Sequence, residues 1–126
     1  MINLNADEPR LAKLSALCLA LPEAQRQLHP EHADFRVRGK VFAYYLIDHH
    51  GDGRVAVCCR TELGENTDLV AREPARFYLP AHIGKRGWFG LRLDQGRVNW
   101  KEVAGFVTGS YRLAAPAKLL RLLEEP

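Results

Sequence analysis

The sequence predicts an α+β domain, with a mainly antiparallel sheet and helices packed on one face. Three observations carry this expectation. Residues 34–59 alternate or run apolar between Gly-rich turns, as hairpin-linked strands do. Apolar residues recur at helical spacing before that block (Leu11, Leu14, Leu17, Cys18, Leu21) and after it (Trp100, Val103, Val107, Tyr111, Ala114). Strands joined by short turns, with helices on either side of them, favour an antiparallel sheet over an alternating βα fold.

Taken in order, Asp7 is expected to cap the first helix, with Glu8 and Pro9 in its first turn and Pro22 beyond its end. Glu23–Leu28 is expected to be extended, and His29–His32 to form a loop. Asp34–Val37 reads as a strand with Phe35 and Val37 inward and Arg36 and Arg38 outward, followed by a tight Arg38-Gly39-Lys40 turn. Val41–Ile47 is apolar on both faces, which predicts a central strand. A His-Gly-Asp turn leads to a strand over Arg54–Cys59. Thr61 is expected to cap a helix running to about Arg72, with Leu63, Thr67 and Val70 along one side. Phe77–Pro80 is extended and leads into the Gly-Lys-Arg-Gly-Trp strand, which places Phe89, Leu91 and Leu93 on one face and Trp88, Gly90 and Arg92 on the other. Asn99 and Glu102 form a capping-box pattern for the next helix, and Pro116 opens a short last helix.

At 126 residues, 47% hydrophobic and 26% charged, the chain is expected to be one soluble globular domain over residues 1–126, long enough to bury a core without metal or disulfide staples. No apolar run approaches a membrane span and no signal-peptide pattern opens the chain, so a cytoplasmic protein is expected. Cys18, Cys58 and Cys59 have no metal or redox spacing and read as small buried apolar residues. The net charge of +3 is uneven: residues 81–112 carry six cations against Asp94 and Glu102, and the remainder of the chain sums to −1. That local excess favours an anionic partner.

The basic segment contains Gly84-Lys85-Arg86-Gly87-Trp88-Phe89-Gly90-Leu91-Arg92-Leu93-Asp94, preceded by Glu73-Pro74-Ala75-Arg76-Phe77-Tyr78-Leu79-Pro80. Together with Leu21-Pro22-Glu23, Asp34–Ala43, Asn99–Val103 and Ser110–Pro116, these residues resemble the MmcQ/YjbR family over nearly the whole chain. The resemblance implies a YjbR-like fold, related in shape to the CyaY/frataxin group and to a double-wing DNA-binding domain. Because family members are usually labelled DNA-binding proteins, it also implies DNA as the partner and a regulatory role.

The residue types agree with that implication at two places. Arg36, Arg38 and Lys40 cluster at one hairpin and suit a wing lying along a groove. Lys85, Arg86 and Arg92 can neutralise phosphates while Trp88 stacks on a base or sugar. The alternative is a small-ligand or protein-interaction module built around Trp88, with no nucleic-acid role. No nucleophile motif, P-loop or dinucleotide-binding pattern is present, so no enzyme activity, catalytic residue or cofactor is expected. His29, Glu31, His32 and Asp34, and separately His49, His50 and Asp52, hold ligand-type side chains, but neither spacing is a known ligand pattern and no metal site is expected.

Overall fold

The computed structural model describes residues 4, 5 and 7–124. The chain runs α1 (Pro9–Leu19), β1 (Gln25–Leu28), β2 (His32–Val37), β3 (Lys40–Ile47), β4 (Val55–Arg60), α2 (Glu65–Arg72), β5 (Phe77–Tyr78), β6 (Trp88–Arg92), α3 (Trp100–Ala114) and α4 (Ala117–Glu124). The strands form one sheet in the order β1-β2-β3-β4-β6-β5, and every neighbouring pair is antiparallel. This is the expected α+β architecture. No helix among the described residues is long and apolar enough to cross a membrane.

Period-two alternation decides what each face of the sheet meets. Phe35, Val37, Ala43, Tyr45, Val57, Cys59, Phe89 and Leu91 point to the helices and pack with Leu11, Leu14, Val103, Val107, Tyr111 and Leu119. The opposite face carries a second, smaller cluster of Leu46, Cys58 and Trp88, flanked by Val41, Tyr44 and Ile83. β3 and β4 are covered on both faces, which is why their sequences read as nearly continuous apolar runs. Cys58 and Cys59 are both fully buried, one in each cluster.

Local chemistry corrects several boundaries. Glu8, not Asp7, caps α1: its carboxylate accepts from Leu11 N at 3.0 Å, from Arg10 Nε at 2.7 Å and from the Tyr45 hydroxyl at 2.6 Å. Its longer side chain links the helix end to the middle of the sheet. Thr61 does not cap α2, which begins after Gly64; the Thr61 hydroxyl donates instead to the Gly87 carbonyl at 3.0 Å. Leu63 consequently lies outside the helix and is 75% exposed. Asn99 does cap α3, accepting from Glu102 N at 3.1 Å. The Glu102 carboxylate, however, pairs with Arg76 rather than turning back to complete a capping box. Trp100 is only half-buried, with the Lys13 ammonium over its ring.

Two outcomes follow. Leu91→Ala is expected to destabilise the protein by about 2–5 kcal/mol, because it empties space between sheet and helices; chemical denaturation measures it, and wild-type stability would contradict the assigned face. Glu8 gives a pH dependence. Burial raises its carboxyl, but the bonds from Tyr45, Arg10 and Leu11 outweigh burial and hold it below the ordinary 4.5. A lowered folded value stabilises fully above 4.5 and is lost as pH falls through that value. The stability gap between wild type and Glu8→Gln should therefore be widest near neutral pH and shrink as the pH falls below 4.5 through the lowered folded value; a constant gap would show that the charge is not what stabilises.

Candidate functional site

The Gly-Lys-Arg-Gly-Trp stretch is not a continuous strand. Gly84–Arg86 forms a 3-10 turn, Gly87 has φ 96°, and β6 begins only at Trp88. A side chain at Gly87 would run into the Thr61 carbonyl as well as straining the backbone. The turn is held from below by Asn66 on α2, which is fully buried. Its amide donates to the Gly84 carbonyl at 2.7 Å and to the Trp88 carbonyl at 2.9 Å, spanning the turn at both ends. Lys85 and Arg86 are left exposed on the turn.

Beside this turn the sheet opens. The β3–β4 ladder ends at the Ala43–Cys59 pair. One step further, the Ser110 hydroxyl from α3 takes over, accepting from Arg60 N at 2.9 Å and donating to the Phe42 carbonyl at 2.6 Å. The result is a hollow of about 320 Å³ lined by Lys40, Tyr44, Arg60, Arg86, Trp88 and Ser110, among others. A second hollow of about 340 Å³ shares Arg60 and Arg86 and adds Lys85, with Glu62 at its rim. Among the described residues, none of Lys40, Arg60, Lys85 and Arg86 is in a salt bridge with a carboxylate. The wider hollow between α1 and the Asp94–Trp100 turn also carries cations: Arg10 is bound to Glu8, Lys13 sits over the Trp100 ring, and Arg97 is in no salt bridge among the described residues.

The remaining predicted site residues do not join this group. Arg36 lies on the same sheet face as Tyr44 but is clamped to Asp34, Nε at 2.8 Å and Nη2 at 3.3 Å. Arg38 is not an outward strand residue. It has φ 50° as the first residue of the hairpin turn, and both its Nε and Nη2 bond Glu23, at 2.7 and 3.0 Å. Arg92 lies at the far end of β6 and holds Asp94 through two 3.1 Å bonds. Of the expected basic residues, Lys40, Lys85 and Arg86 thus line the two adjoining hollows with Arg60, while Arg36, Arg38 and Arg92 lie outside them. Trp88 contributes as a wall rather than as a free platform. Its ring is 6% exposed, packed with Tyr44 at a 5.3 Å centroid separation and beside Ile83.

Arg60, Tyr44, Ser110 and Asn66 were not among the predicted site residues. Arg60 is the exposed cation that ends the apolar run of β4, a signal available in the sequence. Ser110 and Asn66 give no such signal, because both act on backbone groups remote in sequence. Tyr44 stays protonated: burial and Asp34 raise its hydroxyl above the ordinary value, against the pull of Arg36 and Arg86. The thiols are inert as nucleophiles. Burial raises all three, Cys58 to about 12 and Cys59 well above the usual value.

The YjbR family model matches residues 19–113, and the chain belongs to that family. A crystal structure of the Deinococcus radiodurans protein DR2400, described as carrying the domain DUF419, superposes with a TM-score of 0.67 at 20% identity, covering 90% of this chain and 86% of that one. That likeness concerns the fold. A search of curated proteins returned no match.

Asn66→Ala is expected to cost about 1–3 kcal/mol, because the Trp88 carbonyl loses its side-chain donor and the Gly84 carbonyl is left with the Gly87 N–H alone. Urea unfolding tests it, and amide exchange should speed up within residues 84–88. Unchanged stability would show that the turn holds its shape without the staple.

Proposed function

We propose that this chain is a non-enzymatic DNA-binding protein that grips backbone phosphates with Lys40, Arg60, Lys85 and Arg86. The observation that carries this reading is that four cations free of carboxylate partners line two adjoining hollows that share Arg60 and Arg86, whereas Arg36, Arg38 and Arg92 are neutralised by their own carboxylates. Cations without partners release counterions when they meet phosphate, so their contribution to binding falls with salt. Contacts of this kind position a duplex without reading its sequence. The buried Ser110 hydroxyl, engaged on both sides, and the three protonated thiols support binding rather than catalysis. Free, buried thiols also support a cytoplasmic setting.

A second reading is favoured by one specific feature, the concavity. A hollow of about 320 Å³ with an aromatic wall is on the scale of a small-ligand site. In this reading a small phosphate-bearing molecule fills it and no polymer is needed.

The test is a titration against duplex DNA, single-stranded DNA and a nucleoside monophosphate at two salt concentrations. The Lys40→Gln/Lys85→Gln/Arg86→Gln variant should flatten the duplex slope of log K against log salt by about 2.7 units. Arg38→Gln and Arg92→Gln should leave that slope nearly unchanged, because each cation already faces a carboxylate. Saturable mononucleotide binding as tight as that of the oligonucleotides would favour the small-ligand reading. Absence of DNA binding at low salt would overturn the nucleic-acid one.

A further inference from the structure

Where β1 turns into β2, the fold gathers side chains whose sequence spacing matches no ligand pattern. The His29 N–H donates to the His32 carbonyl at 2.8 Å, closing a turn beyond the paired strand ends Leu28 and Ala33. This closure stacks the two imidazoles, with centroids 4.3 Å apart and planes at 13°. Asp34 lies two residues beyond His32 on the same strand and therefore on the same face. Its Oδ2 is 2.8 Å from His29 Nε2. One ligand atom from each of His29, His32 and Asp34 lies within 4.8 Å of the other two. The carboxylate is buried and both imidazoles are half-exposed, which makes a site with a fixed floor and an open mouth.

We propose that His29, His32 and Asp34 bind a divalent first-row transition metal ion such as zinc, with water completing the coordination. Two imidazole nitrogens and one carboxylate oxygen are the donor set such ions take, whereas magnesium and calcium prefer all-oxygen sites. In a tetrahedral zinc site, bonds of about 2.0–2.1 Å put the ligand atoms about 3.3 Å apart. Rotation of the two imidazoles on a pinned turn closes the difference, and the ion replaces the present His29–Asp34 hydrogen bond. Arg36 holds Asp34 from outside through both oxygens, Nε to Oδ1 at 2.8 Å and Nη2 to Oδ2 at 3.3 Å, and the longer of these bonds yields to the ion while the shorter orients the carboxylate, as partners of liganding carboxylates do. Its positive charge also opposes the ion, so binding is exchangeable rather than permanent. His49 lies at the mouth, its ring centroid 6.4 Å from that of His32, and with His50 it forms the rival pair.

Metal-stripped protein is titrated with cobalt(II), followed by visible absorption, and with zinc by calorimetry. One ion should bind per chain, and zinc should displace cobalt. His29→Ala and His32→Ala should each weaken binding by at least about tenfold, beyond the low end of what loss of an outer-shell partner costs. Both residues are half-exposed on a turn, and far-UV circular dichroism checks that the variants remain folded. The His49→Ala/His50→Ala variant should bind as wild type does. No uptake by folded wild-type protein at millimolar cobalt would overturn the proposal. So would unchanged affinity in His29→Ala and His32→Ala, or loss of binding confined to the His49→Ala/His50→Ala variant.

Discussion

The Ser110 hydroxyl replaces a hydrogen bond that the sheet stops making. Beyond Ala43–Cys59 the backbones of β3 and β4 part, leaving the Arg60 N–H and the Phe42 carbonyl without each other. Both groups are costly to bury unpaired. A hydroxyl both donates and accepts, so one serine satisfies the two and fastens α3 to the middle of the sheet. The departure of the strands makes room for the hollow, and α3 becomes its wall. Fold and candidate site thus depend on the same side chain.

The second constraint is the two-sided burial of the central strands. Trp88, Cys58 and Leu46 form an apolar cluster on the face away from the helices. The segment from Pro80 to Gly87 folds against that face, with Ile83 packed on the cluster, and Asn66 holds it by its carbonyls. Tyr78 covers the bare backbone at Gly90, where any side chain would collide with its ring, and the Arg54 guanidinium stacks on the Tyr78 ring at 4.1 Å. This packing turns a Gly-rich loop into a rigid support for Lys85 and Arg86. It also removes Trp88 from the stacking role that its sequence neighbours suggest.

Charge on the same face is sorted by strand geometry. Residues two apart on a strand share a face, so Asp34 meets Arg36, and Arg92 meets Asp94 just past the end of β6. Each pair neutralises itself. Lys40, Lys85 and Arg86 have no acid at that spacing on a strand, and they remain available to an anion. A net charge per segment counts all of these cations alike, whereas the fold distinguishes them.

The elements themselves were largely legible. Alternation at Phe89-Gly90-Leu91, the apolar run Val41–Ile47 and the helical recurrence of Val103, Val107 and Tyr111 determined strand, helix and buried face, because periodicity of 2 or 3.6 is a local property. The Asn99 cap and the Arg38-Gly39 turn were equally local. The boundaries that failed depended on distant partners: Glu8 displaced Asp7 as a cap because Tyr45 reaches it across the core, and Thr61 was drawn away from α2 by the Gly87 carbonyl. The same division holds for function. The residue types and the basic excess around Trp88 were present in the sequence. Which cations are free, that Arg60 joins them, and that His29, His32 and Asp34 meet were decided only by tertiary structure. The physical reason is that a carboxylate, a backbone carbonyl or a second imidazole changes what a side chain can do only once folding brings it within a few ångströms.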